Sequence, residues 1–191
     1  MPPSRRAYLE KLAEVLNEEI VVCCMAETTE HWADLKGKDS NFYVSDSMGM
    51  VIPAALGIAL SRPKDRVVAM EGDGAVLMNL GCLVTSAIQA PRNLTVLVFN
   101  NDIYEASGGQ PLAKAALNYE EMARSAGFSL TATVDSADAF GKKVREFLAQ
   151  DRLSFLSAVT NREIEKPKTA FNLRPVEIRL QFERWCREHP A

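Results

Sequence analysis

The stretch Arg66-Val67-Val68-Ala69-Met70-Glu71-Gly72-Asp73-Gly74-Ala75 decides the fold. Its apolar run has the length of a strand, and Gly72-Asp73-Gly74 ends it in a turn. Val76 to Ile88 is then almost all apolar and small, which predicts a helix buried on most sides, broken by Pro91-Arg92-Asn93. A second apolar run, Leu94 to Phe99, closes on Asn100-Asn101-Asp102-Ile103. One crossover helix therefore separates two strands. If the strands are parallel, the Asp73 carboxylate and the Asn101 amide emerge on one edge of a sheet and converge on one point.

The rest of the chain repeats the alternation. Residues 4–18 predict a helix capped by Ser4, with Tyr8, Leu9, Leu12, Val15 and Leu16 as its apolar stripe. Ile20 to Met25 is a continuous apolar run, as expected of a strand buried on both faces. Thr28 or Thr29 is expected to cap a short helix through His31, Trp32 and Leu35. A strand at Asn41–Val44 and a small-residue helix at Val51–Leu60 come next. Beyond Asn101, Asp102 to Pro111 reads as a flexible loop, followed by helix Tyr119–Ala126, strand Leu130–Val134, a helix from Ser136 to Leu148 and strand Ser154–Val159. Glu165-Lys166-Pro167-Lys168 begins a polar connection, and Pro175–Arg187 is an amphipathic tail helix. This order predicts an α/β domain over residues 1–191: an open, mainly parallel sheet with helices on both faces and its ligand beyond the carboxyl ends of the strands.

Composition narrows the class. The 191 residues are 47% hydrophobic and 25% charged, which fits one globular domain. A formal net charge of -3 with no basic run leaves no nucleic-acid footprint. The apolar stretches are strand-length, so no membrane span is expected, and Met1 to Arg6 lacks the apolar run of a signal peptide. Cys23, Cys24, Cys82 and Cys186 form no Cys-x-x-Cys pair, and small buried thiols in a reducing cytoplasm are the expectation.

Asp73 and Asn101 offer hard oxygen ligands of the kind Mg²⁺ or Ca²⁺ takes, with room in the shell for phosphate oxygens. Gly72 and Gly74 allow close approach of an anion, and the amides of Gly74, Ala75 and Val76 open a helix. Either tripeptide alone reads as a turn. Together, at this spacing, they read as a site for a divalent cation carrying a diphosphate.

Gly72-Asp73-Gly74 followed at this interval by Asn100-Asn101 resembles the thiamine diphosphate signature. Ser47-Met48-Gly49, Ala55-Leu56-Gly57-Ile58-Ala59, Asp73 through Gly81 and Gly108-Gly109-Gln110-Pro111 extend the resemblance to one branch, the phosphonopyruvate and sulfopyruvate decarboxylases, and to their pyrophosphate-binding (PP) half. The resemblance implies side-chain metal ligation by Asp73 and Asn101 and a backbone carbonyl ligand from Ile103. It implies that Met48, which on spacing alone reads as core, wedges the cofactor into its bent shape, and that the carbonyl of Asp46 accepts from the aminopyrimidine. It also implies cofactor contacts from Ser47, Gly49, Gly72, Gly74 and Ala75, and from the Thr28–Thr29 loop. Three positions depart from the family pattern: Asp46 stands where Gly is usual, Ala75 where Ser is common, and Asp102 to Ser107 differs from the usual small-residue loop.

The glutamate that activates the cofactor ring belongs, in this superfamily, to the pyrimidine-binding (PYR) half. Glu27, Glu30, Glu71 and Glu105 do not fit that role, so no catalytic residue is expected in this chain. The resemblance implies a separate PYR-domain alpha subunit and a hetero-oligomer such as α2β2, with a homodimer of this chain alone as the other arrangement. The helices at 51–60 and 76–88 are the expected contact surfaces. A small 2-oxo acid with an anionic tail is the implied substrate. No Lys or Arg lies in residues 67–91 or 93–113, so the cation for that tail is expected from the partner. The other readings are a carboligase of the acetolactate synthase type, a 2-oxo acid oxidoreductase subunit, or a non-catalytic diphosphate-binding domain.

Overall fold

Strand β4 (Leu94–Asn100) is buried at all seven positions, and β1 (Ile20–Cys23) at all four. Strands this apolar must be covered on both faces. In the computed structural model, which describes every residue except 25, 46, 113–116, 163–166, 169 and 170, they lie inside a six-stranded, wholly parallel sheet. With β2 (Phe42–Tyr43), β3 (Val67–Gly72), β7 (Leu130–Val134) and β8 (Ser154–Val159), the order is β2-β1-β3-β4-β8-β7. Strands β3 and β4 are direct neighbours, with Gly72 opposite Phe99. The end of β1 expected at Met25 lies outside the described residues.

Period-two alternation sorts each strand's side chains between two cores. Val67, Ala69, Val96 and Val98 face one core with α3 (Val51–Ser61) and α5 (Gly81–Gln89). Val68, Met70, Leu97 and Phe99 face the other with α1 (Arg5–Val15) and α7 (Ala137–Leu148). Helices α2 (Glu27–Lys36), α4 (Asp73–Met78), α6 (Tyr119–Ala126) and α8 (Pro175–Glu188) complete the layers. Helix α8 closes the β2 edge, with Phe182 edge-on to Phe42 at 5.3 Å and Trp185 under the Arg62 guanidinium at 4.9 Å.

Four expectations are corrected. The 76–88 helix starts earlier, at Asp73, and is two helices. Asn79 leaves helical backbone (φ -141) and donates from Nδ2 to the Gly49 carbonyl at 2.9 Å. Nor is this region buried on most sides: Met78, Leu80, Val84 and Ile88 are exposed. The loop after Asn101 carries a hairpin, β5 (Ile103–Tyr104) against β6 (Gln110–Pro111), with a 3-10 turn at Glu105–Ser107. Finally, neither Thr28 nor Thr29 caps α2. Both lie inside its first turn, and Ala26, at φ +61, is the cap residue. Among the described residues the cysteines are free, and no helix is long and apolar enough to cross a membrane.

Candidate functional site

The chain leaves β1 toward β2 on one side and returns to β3 on the other, so the strand order reverses between β1 and β3. A crevice at the carboxyl ends of the strands is expected there. A cleft occupies this place, walled by Cys24 after β1, Ser47 and Met48 after β2, Gly72 to Ala75 at the end of β3, and Asn101 with Ile103 to Ala106 after β4. Helices α2, α3 and α4, which follow β1, β2 and β3, begin without a side-chain cap. Helices α1, α6 and α7 are capped by Ser4, Asn118 and Ser136. The α2 and α4 starts border the cleft, and apart from the Gly74 amide, which Asp73 accepts, first-turn N–H groups there without a side-chain cap offer an anion a positive dipole end.

Asp73 is 3% exposed. Its Oδ2 accepts from the amides of Asn101 (2.9 Å) and Asp102 (2.7 Å), and its Oδ1 from the Gly74 amide (2.9 Å). Asp102 reaches it from a left-handed conformation at φ +60. The ends of β3 and β4 are thus stitched together by one carboxylate. Burial raises its pKa to about 6, although these three hydrogen bonds pull the other way. Oδ1 keeps an unused lone pair. A nearby cation would restore full ionisation.

Asn101 Oδ1 accepts from the Ile103 amide at 3.1 Å, while its Nδ2 donates to Glu105 Oε2 at 2.7 Å. Ile103 lies opposite Pro111 in the hairpin, and the neighbouring rung is the Leu112 amide on the Asp102 carbonyl at 3.2 Å. Ile103 is therefore at a non-hydrogen-bonded pair, and its carbonyl turns out of the ladder. Carboxylate, amide oxygen and backbone carbonyl form a donor set suited to a hard divalent cation. Among the described residues no cluster of three or more His, Cys, Asp or Glu side chains forms another metal-binding group.

Gly72 has φ -89, open to any residue, and a Cβ there would meet nothing within 4 Å. Neither backbone nor packing requires glycine at this position, whereas a ligand lying against the wall would. At Gly74 a Cβ would come within 2.7 Å of the Tyr104 ring. Ala75, Ser47, Met48 and Thr28 line the cleft. Gly49 (φ +78) stands behind the wall, where its Cβ would meet the Ala75 carbonyl oxygen at 3.0 Å. Thr29 turns away, its hydroxyl donating to the Cys24 carbonyl. Asp46 lies outside the described residues.

Of two further wall residues, Arg5 has no place among the residues singled out from the sequence, and Glu71 was named there only to be set aside as the activating acid. Arg5 enters from α1, donating from NH1 to Glu105 Oε1 at 3.0 Å and pairing with Glu27 at 3.6 Å. A cation thus reaches the cleft from this chain itself. Burial and the nearby Glu105 push Glu27 up to about 7. Glu71 is 1% exposed, with Oε1 accepting from the Gly72 amide at 3.2 Å and Oε2 unpartnered, and burial raises it to about 9. A charge at the last turn of an apolar strand was the one available signal for Glu71. None marked Arg5.

The cleft encloses only about 80 Å³, against roughly 300–1,000 Å³ for a complete ligand pocket. Sheet order, bare helix starts and converging oxygen donors define an α/β domain of the anionic-cofactor-binding class. The chain belongs to the thiamine pyrophosphate enzyme family, whose C-terminal TPP-binding domain matches residues 22–158. It is 30% identical over 184 residues to sulfopyruvate decarboxylase subunit beta of Methanocaldococcus jannaschii, covering 95% of this chain and 96% of that one. The subunit beta of Methanothermobacter thermautotrophicus is 35% identical over 66% of this chain and 68% of its own length. Phosphonopyruvate decarboxylase of Streptomyces viridochromogenes is 34% identical over 78% of this chain but 38% of its own length. Among solved structures, benzoylformate decarboxylase from Polynucleobacter necessarius superposes with a TM-score of 0.76 at 23% identity. That match covers 87% of this chain and 34% of the solved one, so the chain spans about a third of that enzyme's length.

Proposed function

We propose that residues 1–191 form the pyrophosphate-binding half of a two-chain, thiamine diphosphate-dependent 2-oxo acid decarboxylase of the sulfopyruvate or phosphonopyruvate type. The observation that carries the reading is the joining of the β3 and β4 ends through Asp73, with the amide and carbonyl oxygens of Asn101 and Ile103 alongside. In this reading Asp73, Asn101 and Ile103 hold Mg²⁺ (or Ca²⁺), and the cation neutralises the buried carboxylate and binds the diphosphate. Gly72 and Gly74 give the diphosphate room, and the Ala75 amide is a backbone donor at the α4 start. Met48 and Ser47, with Thr28 opposite, form the wall against the rest of the cofactor, and Asp46 contributes its carbonyl. Gly49 shapes that wall from behind.

Bound thiamine diphosphate supplies the electron sink for loss of carbon dioxide from the 2-oxo acid. This chain's residues bind and orient; ring activation falls to a glutamate on a separate PYR-domain subunit. Three observations support a partner: the small cleft, the exposed apolar side chains of α3 to α5, and the name "subunit beta" carried by near-full-length relatives. The buried thiols of Cys23 and Cys82 suit a reducing cytoplasm.

Calorimetry with thiamine diphosphate and Mg²⁺, on the chain assembled with its partner, tests the site. Binding should disappear in Asp73→Ala and weaken strongly in Asn101→Ala. Unchanged binding in both variants would overturn the site. A screen of 2-oxo acids on the same complex, scoring carbon dioxide release, tests the reaction.

A further inference from the structure

Asn101 can serve a cation only through its oxygen, and a side-chain amide can be turned end for end at no covalent cost. In this structure the choice is made by Glu105. Asn101 Nδ2 donates to Glu105 Oε2 at 2.7 Å, and an ionised carboxylate only accepts. The opposite end of the amide is therefore the oxygen. A turned amide would set Oδ1 against the carboxylate and the NH2 group against the Ile103 amide, losing both hydrogen bonds.

Glu105 needs an anchor of its own, because it sits on the 3-10 turn of an exposed hairpin. Arg5 provides it. Its two terminal nitrogens grip both carboxylate oxygens, a forked pairing with fixed geometry. Arg5 is fixed by α1, which buries Tyr8, Leu9 and Leu12 completely. Glu105 is not itself a free ligand: Oε1 is taken by Arg5, and Oε2 by Arg5 and Asn101 together.

We infer that Glu105, clamped by Arg5, is a positioning residue that fixes the Asn101 amide so that its oxygen faces a divalent cation. The inference rests on the proposed reading of Asn101 as a metal ligand. It adds a relay from the first helix to the cation loop across 100 residues of sequence.

Mn²⁺ can serve as the probe, titrated by electron paramagnetic resonance into the complex of this chain with its partner subunit, saturated with thiamine diphosphate. Glu105→Ala should weaken Mn²⁺ binding by roughly tenfold, in the range for outer-shell partners of a metal site. Glu105→Gln, which keeps an acceptor of the same size, should recover part of the loss and stands in if the alanine variant does not fold. Arg5→Ala should lower affinity in the same direction by less. In an Asn101→Ala background, Glu105→Ala should add nothing. A Glu105→Ala loss of equal size with and without Asn101, or no loss at all while Asp73→Ala abolishes binding, overturns the positioning role and leaves the site reading standing. A wild-type complex that takes up no Mn²⁺, or an Asp73→Ala complex that takes it up equally well, overturns the site reading and the relay with it.

Discussion

The two faces of the sheet are finished to different degrees. On the α1–α7 face, Tyr8 and Phe140 meet edge-on at 5.0 Å beneath helices whose outer sides carry ion pairs such as Lys11–Glu14 and Lys143–Glu146. On the α3–α5 face the inner residues are equally buried, yet Leu60, Met78, Leu80, Val84 and Ile88 stand exposed. Among the described residues no large apolar side chain is exposed on α1, α2 or α7. One face is a completed protein surface. Among the described residues the other carries exposed apolar side chains on its outer helices, and apolar patches of this kind mark interaction sites.

The largest expected effect lies on the completed face. Phe140 is fully buried against Tyr8 and Phe99. Phe140→Ala should cost about 3–5 kcal/mol of unfolding free energy in urea titration, the usual range for a deleted core aromatic. Ile88→Ala on the open face should stay within about 0.5 kcal/mol in the same assay. Equal losses at the two sites would erase the contrast.

The open face should respond in assembly instead. Val84→Arg should leave the chain's own stability nearly unchanged while weakening association with the partner subunit by about 2 kcal/mol or more, as for a central apolar contact. Analytical ultracentrifugation of the mixed chains measures it. Full association of the variant would put the interface elsewhere.

Glu71 shares its side of β3 with Val67 and Ala69, so this buried acid also belongs to the open face. Its pKa rises from 4.5 to about 9 on folding, mainly through burial. A carboxyl group raised on folding is bound to its proton more tightly in the folded chain. Its contribution is complete below the unfolded value and is lost as pH climbs toward the folded one. Stability of the metal-free chain should therefore fall between about pH 5 and 9, by on the order of 1 kcal/mol per pH unit. Glu71→Gln, permanently neutral, should flatten that slope above about pH 7, where Asp73 and Glu27, raised to about 6 and about 7, no longer contribute. Parallel slopes for the two proteins would mean that Glu71 ionises freely.

What the sequence disclosed follows the range of the interactions. Asp73 and Asn101 were legible because each closes an apolar run, and one crossover must bring such ends together. The division of α4 from α5 was missed: the apolar run on either side hid Asn79 and Gly81, two weak helix formers, at the break. The break comes from Asn79 reaching the Gly49 carbonyl, 30 positions away. Thr28 and Thr29 suit a cap by residue type, but Ala26 takes the cap position in a conformation its side chain does not announce. Arg5 and Glu105 meet only in the folded chain.

The smallest effect separates helix starts rather than faces. Ser136 accepts from the Ala139 amide at 3.4 Å and caps α7, whereas the helices leading from β1, β2 and β3 have no such side chain. A cap is worth about 1 kcal/mol, so Ser136→Ala should lower stability by that amount and leave cofactor binding unchanged. The missing caps of α2 and α4 are a stability deficit of the same kind at the two helix starts that border the cleft. If a diphosphate takes their place, thiamine diphosphate with Mg²⁺ should raise the melting temperature of wild type and of Ser136→Ala by equal amounts, and raise that of Asp73→Ala much less. A shift that Asp73→Ala keeps in full would mean that the bare helix starts are simply solvated and hold no anion together with the cation loop.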